Sequence, residues 1–304
     1  MKTIALTGAT SMIGLAIIKQ CIKQSINVIA FVRPNSSRIN LLPKSNLITI
    51  ISCYLDELKN FDSVKNDLNK PEVFYHLGWD YTNKQERDNN YKQLSNIHHT
   101  LSAVQLAAKL GCNRFVGAGS QAEYGSSLKP LAASTPVNPD IAYGIAKYAA
   151  GKFAKIECDK FKLEYIWVRI LSVYGIHDNY NTLIKTFILN CKNNHPMALG
   201  HCTHIWDYLH EDDAGPAFLA VGEKGKNGNI YCLGSGIGKP LREYLETMKK
   251  IINPIYTLQY GEIPYTEKSV LHLCADITEL TKDTGWKPEI SFEVGIKRVI
   301  ESSK

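Results

Sequence analysis

The N-terminal part of the chain alternates short apolar runs with amphipathic stretches, a pattern typical of parallel strands connected by helices. Thr3–Thr7 and Asn27–Val32 are apolar runs of strand length, and the apolar positions 15, 17, 18, 21 and 22 between them recur at helical spacing. Gly8 and Gly14 lie between the first run and this helix. The pattern therefore predicts a strand, a glycine-rich turn, a helix and a second strand, in that order.

The same alternation continues through the first half of the chain. It predicts further strands at 47–51, Val73–His76, 114–118 and 164–169, with helices near 91–110 and around Tyr143. The predicted fold class is α/β, a doubly wound parallel sheet (Rossmann fold) with a smaller C-terminal substrate lobe. We predict that residues 1–175 and 205–225 form the dinucleotide-binding domain and that residues 176–204 and 226–304 form the substrate lobe.

Composition is that of an ordinary globular protein, with 304 residues, 44% hydrophobic and 21% charged. Every apolar run is shorter than the ~18 residues that span a membrane, and the first residues lack the cleavage region of a signal peptide. We therefore expect a cytoplasmic protein without a membrane partner. Eight scattered cysteines without a C-x-x-C pair favour free thiols. His195, His201, Cys202 and His204 lack an established ligand spacing, so we expect no metal.

The net charge of +6 is concentrated at the N-terminus. Residues 1–55 contain six Lys or Arg and no Asp or Glu, so this segment accounts for the whole excess. A nucleic-acid-binding protein would show a broader basic face or a known motif, and we expect no nucleic-acid partner. A local acid-free segment instead suits a compact ligand that carries phosphate.

The glycine-rich turn is suited to a dinucleotide cofactor. Gly8 permits the tight turn, Gly14 allows close packing of helix on strand, and the helix N-terminus attracts a pyrophosphate. NAD-binding proteins usually place an acid about 20 residues past the glycines to hold the ribose 2′-hydroxyl, but here the nearest acid is Asp56. Arg33 and Arg38 follow the second strand instead, and guanidinium groups suit a 2′-phosphate. We predict NADP(H), with NAD as the alternative.

Tyr143 and Lys147 are the candidate catalytic pair. Four residues apart on a predicted helix, they share one face, and an ammonium favours the phenolate over the phenol. This arrangement predicts a proton donor whose pKa is tuned towards neutrality, as acid–base catalysis requires. The same spacing is common on surface helices, so the assignment of a catalytic role to this pair depends on the neighbouring motifs. Residues 119–125 follow the fifth strand, at the edge where doubly wound sheets place their active sites.

The motifs together resemble those of the extended short-chain dehydrogenase/reductases of the NAD-dependent epimerase/dehydratase type. Six segments carry the resemblance: TGATSMIG at 7–14 (family TGxxGxxG), HLGW at 76–79 (HLAA-like), YGIAK at 143–147 (YxxxK), RILSVYG at 169–175 (RxxNxYG), DYLHEDD at 207–213 (DFxxVDD) and GWKP at 285–288 (GWxP). The C-terminal part resembles, more loosely, reductases that complete CDP-linked 3,6-dideoxyhexoses. Nucleotide-4-keto-sugar reductases are therefore the closest pattern.

The resemblance implies a role for each matching residue. Tyr143 would exchange a proton with a sugar oxygen, Ser120 would hydrogen-bond that oxygen, and Lys147 would lower the pKa of Tyr143 and bind the nicotinamide ribose. The expected cofactor-binding residues are Gly8, Thr10, Ser11, Met12, Ile13, Gly14, Arg33, Arg38, Leu55, Leu77, Gly78, Asn96, Tyr143 and Lys147. The expected substrate-binding residues are Trp79, Gln121, Ser172, His177, Lys185 and Trp206.

Departures from the family pattern narrow the choice of reaction. Gln121 and Ala122 stand where the 4,6-dehydratases of the family carry an Asp-Glu pair, so dehydration is not expected. Trp206 stands where an arginine commonly holds the substrate diphosphate, and Lys185 or Lys268 would have to supply the charge instead.

Three functions remain open. The first is an NADPH-dependent reductase of a nucleotide-linked keto-sugar, with C4 as the expected position; the second is a nucleotide-sugar 4-epimerase that retains NAD. The third is a non-catalytic NADP-binding sensor, against which the intact Ser120, Tyr143 and Lys147 count. Arg33 favours a dissociable NADPH over a retained NAD. Members of this family often pair two helices, here near 96–110 and 143–161, so we also expect a homodimer.

Overall fold

A seven-stranded parallel sheet lies at the centre of the computed structural model, which describes residues 1–61, 70–266 and 270–302. The described strands are β1 (Thr3–Thr7), β2 (Asn27–Val32), β3 (Ile48–Ser52), β4 (Val73–His76), β5 (Arg114–Ser120), β6 (Glu164–Ile170), β7 (Ser172–Tyr174), β8 (Ile205–Trp206), β9 (Tyr208–His210), β10 (Ile230–Leu233) and β11 (Lys239–Pro240). The described α-helices are α1 (Met12–Lys23), α2 (Asn90–Lys109), α3 (Ala142–Phe161), α4 (Leu183–Lys192), α5 (Glu211–Lys224), α6 (Leu241–Ile252), α7 (Thr278–Thr284) and α8 (Phe292–Glu301).

The strand order of the central sheet is β10-β6-β5-β4-β1-β2-β3. All six pairs of neighbours run parallel. The order reverses between β1 and β4, so the connections that follow these two strands leave towards opposite sides and open a crevice at the carboxyl edge. The predicted α/β fold class is confirmed, and the crevice is where such sheets bind ligands.

Helices cover both faces of the sheet, and this is why its strands are apolar at nearly every position. All five residues of β1 are buried, and β4 is buried throughout. One face packs against α1 and α5, and the other against α2 and α3. None of the helices in the described ranges combines the length and apolar character needed to cross a bilayer.

A separate apolar core lies among α4, α6 and α8. Its centre is a group of aromatic rings in edge-to-face or tilted contact: Tyr244 and Phe292 have ring centroids 4.6 Å apart, and Tyr208 and Tyr244 5.1 Å. Tyr174, at the end of β7, joins this group through Phe292 at 5.2 Å. A second core of this kind is consistent with the predicted substrate lobe, whose boundaries stay a prediction.

Two sequence-based assignments are corrected by the sheet. Residues Ile230–Leu233, predicted in the substrate lobe, form β10 and pair with β6, because an apolar strand here covers an edge that would otherwise be unpaired. Ser120, predicted to follow the fifth strand, is the last residue of β5, since its backbone is in register with Ile170 of β6. This register gives the serine a place on a rigid element instead of a loop.

Gly215 provides a test of the close contact between α1 and α5. A Cβ at this position would lie 2.4 Å from the carbonyl oxygen of Ala16. Alanine is the better helix former by about 1 kcal/mol, but the clash is with backbone that cannot rotate away. We expect Gly215→Ala to lower the free energy of unfolding by about 1 to 3 kcal/mol in urea titration.

Glu223→Ala, at an exposed position of the same helix, is the control and should change stability by no more than about 0.5 kcal/mol. A Gly215→Ala variant as stable as the wild type would mean that the two helices can move apart without cost.

Candidate active site

The turn after β1 brings three stretches of backbone too close together for side chains. Gly8 has a φ of +70°, and a Cβ on it would lie 2.7 Å from the carbonyl carbon of Leu77. A Cβ on Gly14 would lie 2.3 Å from the Gly8 oxygen. Ser11 caps α1, with its Oγ accepting a hydrogen bond from the Gly14 N–H at 3.0 Å. The positive end of α1 is therefore held at the crevice, where an anion is favoured.

Hydrogen bonds fix the end of β4 beside this turn. Thr7 Oγ1 lies 2.8 Å from His76 Nδ1 and accepts from the Gly78 N–H at 3.2 Å. Burial lowers the pKa of His76 to about 3, with the neighbouring Lys147 charge acting in the same direction. The imidazole is therefore neutral at physiological pH and acts as a structural bridge between β1 and β4.

A groove of about 370 Å³ runs over the glycine-rich turn. Most of the predicted cofactor-binding residues line it: Gly8, Thr10, Ser11, Met12, Arg33, Arg38, Leu55, Leu77 and Gly78. Gly78 also lies where a side chain would not fit, because a Cβ there would lie 2.7 Å from the Leu55 side chain. The close backbone, the helix N-terminus and the cation at one end together fit a dinucleotide.

The two predicted phosphate-binding arginines have different positions. Arg38 donates from Nε to the Thr10 carbonyl at 2.9 Å and from Nη2 to the His177 carbonyl at 2.7 Å. Arg38 thus links the two rims of the groove. Arg33 lines the groove and an adjoining cavity of about 800 Å³, which Asp56 also lines. Because Arg38 is bonded to two carbonyls, Arg33 is the better placed of the two arginines to bind a phosphate.

A second cavity of about 480 Å³ continues from the groove towards the ends of β5 and β6. The three predicted catalytic residues line it together, and so do several predicted cofactor and substrate contacts: Ser11, Met12, Ile13, Leu77, Trp79, Ser120, Gln121, Tyr143, Lys147, Ser172 and Trp206. The groove over the glycine-rich turn and the cavity of about 480 Å³ share four lining residues: Ser11, Met12, Leu77 and Trp79. The groove and this cavity therefore form one continuous cleft.

Ser120 is held by a buried carboxylate that the motifs did not single out. Glu123 accepts hydrogen bonds from the Ser120 N–H and from Trp167 Nε1, each at 2.9 Å, and pairs with Arg169 Nε at 2.8 Å. Both charged side chains are at most 3% exposed. A serine followed three residues later by glutamate is the spacing of a capping box, and this was the available sequence signal.

The indole of Trp167 fills a space that three glycines leave open. A Cβ on Gly117 or Gly119 of β5 would lie 2.2 or 2.3 Å from this ring, and one on Gly151 of α3 would lie 2.8 Å from it. Tyr165 adds a hydrogen bond from its hydroxyl to the Gly151 carbonyl at 2.8 Å. The ring therefore sets the separation between β5 and α3, which carry Ser120 and Tyr143.

Tyr143 departs from the sequence-based expectation. Burial raises the pKa of its phenol above the ordinary value of about 10, while the Arg87 guanidinium and a hydrogen bond with Ser120 act to lower it. A pKa lowered towards neutrality by Lys147 was expected, and the net direction is the opposite. Tyr143 is therefore a protonated phenol at neutral pH and so a proton donor.

Lys147 is buried beside the phenol. Its Nζ donates to the Ala118 carbonyl at 2.8 Å and lies 3.7 Å from the centroid of the Trp79 ring. Burial lowers the pKa of Lys147 to about 7, with Glu123 opposing and Arg87 reinforcing the shift. The amine is therefore about half protonated near pH 7, and its charge falls progressively at higher pH.

The part of the cleft lined by the predicted substrate-binding residues Ser172 and Trp206 is mostly neutral. Trp206 Nε1 donates to Ser172 Oγ at 2.9 Å, so two residues that depart from the family pattern bond to each other. Leu171 and Leu273 also line this part of the cavity. Gln121, which directly follows Ser120, lines it as well. Where an arginine commonly contacts the substrate diphosphate, this protein has an indole tied to a hydroxyl.

Asn96 and Lys185 line neither the groove nor this cavity, and His177 lines only the groove. Asn96 is buried and holds the segment after β4, accepting from the Asp80 N–H at 2.8 Å and donating to the Asp80 carbonyl. His177 lines the cofactor groove, with its Nδ1 3.0 Å from Glu211. Lys185 donates to the Ile176 carbonyl at 3.0 Å. These long-range bonds could not be read from spacing, and Lys268 lies outside the described residues.

The later motifs are structural clamps. Asp207 accepts from the Ser235, Gly236 and Ala275 N–H groups, which fixes the strand that carries Trp206. Asp213 accepts from the backbone N–H groups of Glu289 and Ile290, directly after the GWKP segment. Within residues 1–61, 70–266 and 270–302, no group of three His, Cys, Asp or Glu side chains is placed to hold a metal ion.

Comparisons with known proteins extend the resemblance. A model of the NAD-dependent epimerase/dehydratase family matches residues 4–234. The chain is 25% identical to CDP-abequose synthase of Salmonella muenchen, over 98% of this chain and 97% of that protein. It is 22% identical to dTDP-4-dehydro-6-deoxyglucose reductase of Escherichia coli, over 98% and 96%. The UDP-glucose 4-epimerase of Thermotoga maritima, solved with UDP-glucose, has the same fold, with a TM-score of 0.85 at 21% identity over 99% and 98%.

The contribution of the buried Glu123–Arg169 ion pair to the stability of the protein can be tested by substitution. Glu123→Gln keeps an oxygen for the Ser120 and Trp167 donors but leaves the Arg169 charge buried without a partner. We expect the free energy of unfolding, measured in urea, to fall by about 3 to 5 kcal/mol. Replacing both partners, as Glu123→Leu with Arg169→Met, should cost less than the sum of the two single changes.

Glu293→Gln is the matched control, because Glu293 pairs with Lys297 at 3.1 Å on an exposed helix face. Its effect should stay within about 0.5 kcal/mol. Equal effects of the two Glu→Gln changes would show that burial adds nothing to the Glu123–Arg169 pair.

Proposed function

Because the chain belongs to the NAD-dependent epimerase/dehydratase family, we propose that it is an NADPH-dependent reductase of a nucleotide-linked keto-sugar, acting on a C4 carbonyl. The resemblance seen in the sequence is confirmed, and the chain is an enzyme of the extended short-chain dehydrogenase/reductase type. The observation that carries the proposal is that Ser120, Tyr143 and Lys147 line one cavity, continuous with a groove built for a dinucleotide.

The protein's own residues have separate tasks in this reaction. The cofactor, when bound, supplies the hydride. Tyr143 donates its proton to the oxygen of the carbonyl as that oxygen becomes an alkoxide, and the Ser120 hydroxyl hydrogen-bonds the same oxygen. Lys147 adds positive charge beside the phenol at pH values below about 7, where it is protonated. Glu123 holds Ser120 in place through its backbone N–H.

The choice of NADPH rests on the adenosine end of the groove. Arg33 lines this end, the first 55 residues contain no carboxylate, and the usual ribose-binding acid after β2 is absent. A cofactor that leaves after each turnover suits a reductase, whereas an epimerase keeps NAD and returns the hydride to the same substrate. Retained NAD with 4-epimerisation is the alternative, since the same three side chains serve that reaction.

The sugar proposed as substrate is deoxygenated on one edge. The cavity wall formed by Leu171, Trp206 and Leu273 presents mostly carbon to the site. A methyl or methylene group of a deoxy sugar would leave no hydroxyl unpaired against this wall, whereas a hydroxyl there would lose its bonds to water. The names of the relatives, CDP-abequose synthase and dTDP-4-dehydro-6-deoxyglucose reductase, support this class of substrate.

We further propose a cytoplasmic homodimer. Helices α2 and α3 pack against each other, and their outer faces expose apolar side chains that a partner would cover. About half of each of the side chains of Leu94, Phe153 and Ile156 is exposed. Small buried residues such as Ala150 let the helices approach the sheet closely and leave these larger side chains on the surface.

The reaction is tested with CDP-, dTDP-, GDP- and UDP-linked 4-keto-6-deoxyhexoses, each with NADPH or NADH. We expect loss of the reduced-nicotinamide absorbance with at least one of them. Tyr143→Phe should bind NADPH with unchanged affinity and lose turnover by a factor of about 10² or more, because it cannot donate the proton. If every keto-sugar is inert while a nucleotide hexose is epimerised without added cofactor, the alternative replaces the proposal.

Cofactor preference gives a second test. Arg33→Ala should raise the KM for NADPH about tenfold or more and leave the KM for NADH nearly unchanged, since only NADPH carries the 2′-phosphate. Lys23→Ala, at the opposite end of α1, removes a charge from the same acid-free segment and should affect neither KM. Equal effects of Arg33→Ala on both cofactors would count against NADPH as the natural cofactor.

A further inference from the structure

Arg87 lies across the face of the Tyr143 ring. Its guanidinium carbon is 4.1 Å from the ring centroid, whereas Lys147 Nζ is 5.8 Å from it. Trp79 contacts the same ring edge-on, with centroids 5.9 Å apart. Arg87 also lines the catalytic cavity. The cation closest to the phenol ring therefore comes from the segment before α2, not from the helix that carries the YxxxK motif.

The backbone fixes Arg87 relative to Tyr143. Helix α3 has no side-chain cap of its own at Ile141. Its first N–H groups are bound instead by the segment before α2: Ala142 donates to Asp88 Oδ1 at 3.2 Å, and Tyr143 donates to the Arg87 carbonyl at 2.9 Å. The Arg87 carbonyl accepts from the Tyr143 N–H, and the Arg87 guanidinium covers the ring of the same tyrosine. The stacking therefore follows from main-chain geometry as well as from the side-chain rotamer.

The segment that carries Arg87 is itself anchored to α2. Gln93, which is buried, donates to the carbonyls of Tyr81 and Glu86 at 2.9 and 3.1 Å and accepts from Trp79 Nε1 at 3.0 Å. The Arg87 N–H donates to the Asn83 carbonyl at 3.1 Å. The guanidinium is thus presented from an ordered turn with bonds on both sides.

The charge on Arg87 is not neutralised by the protein. Arg87 Nε is buried and has no hydrogen-bond partner among the described residues, and no carboxylate in that set forms an ion pair with it. The other charged groups that face Tyr143 are Lys147 on its own helix and Glu123 below Ser120. Lys147 loses its charge above about pH 7, while a guanidinium keeps its proton across the working range.

We propose that Arg87 is an electrostatic positioning residue of the active site, which stabilises the phenolate that Tyr143 becomes when it has given its proton to the substrate oxygen. A cation over an aromatic face is attracted by the ring's negative face, and the attraction grows when the ring carries a full negative charge. Arg87 keeps its own proton, so the step remains a single proton transfer from Tyr143. The assignment rests on Tyr143 being the proton donor of the proposed function.

The test titrates Tyr143 directly and needs no substrate. Protein labelled with ¹³C at the tyrosine ζ carbon is titrated by NMR into alkaline pH, and the Tyr143 signal is assigned by its loss in Tyr143→Phe. We expect Arg87→Met to move the Tyr143 midpoint upward by roughly one pH unit or more, so that less phenolate is present at a given pH. Arg87→Lys, which keeps the charge, should lie between Arg87→Met and the wild type.

Arg242→Met is the matched control, because Arg242 stacks on Tyr260 with the same 4.1 Å distance but outside the catalytic cavity. It should leave the Tyr143 midpoint unchanged. Should Arg87→Met fail to fold, as judged by circular dichroism, the comparison is made with Arg87→Gln, which keeps a polar group of lower bulk.

One result would overturn the proposal: a Tyr143 titration that is the same in wild type and Arg87→Met. If the KM for the keto-sugar were raised in that case, Arg87 would be a substrate-binding residue instead. Because the titration is read without substrate, it separates this proposal from the function itself: inert keto-sugars with a shifted midpoint would leave Arg87 assigned and the reaction unassigned.

Discussion

The buried Glu123 carboxylate is the interaction on which the geometry of this protein most depends. It joins Ser120, Trp167 and Arg169, which belong to two neighbouring strands, and it does so where water cannot compete. Trp167 in turn occupies the space left by glycines on β5 and α3, so the carboxylate also orients the ring that separates strand from helix. The distance between the serine and the tyrosine is thus set below the cleft, by groups that never meet a substrate.

Charge is sparse in the catalytic cavity, where the charged lining residues are Arg87 and Lys147. His76 is neutral because it is buried, and Lys147 is only partly charged at neutral pH. Ser172 and Trp206 are uncharged and hydrogen-bond to each other, so they add no charge to this cavity. A guanidinium with few other charges near it is weakly screened, so its interaction with a neighbouring group is strengthened.

The regular parts of the molecule could be predicted because they depend on local pattern. Buried parallel strands are apolar along their whole length, and the glycines of the turn after β1 are required by backbone contacts that any doubly wound sheet makes. That Ser120, Tyr143 and Lys147 would lie close together could be predicted from motif spacing, and they line one cavity; their catalytic roles stay a prediction. By contrast, Arg38 bonds to a carbonyl far along the chain, and Arg87, in the turn before α2, contacts a tyrosine on α3. Such contacts depend on how the elements are assembled, and one sequence carries no periodic sign of them. The place of β10 in the sheet was missed for the same reason.

The capping of α3 from outside has a consequence for local motion. A helix that provides its own cap can fray at its first turn while the rest of the protein stays folded. Here the amides of Ala142 and Tyr143 are bonded to residues 87 and 88, so exposing them to exchange with solvent requires that the preceding segment lift away. Opening of the first turn of α3 and detachment of the segment before α2 are therefore one cooperative event. The backbone at Tyr143 is as rigid as the less stable of these two segments.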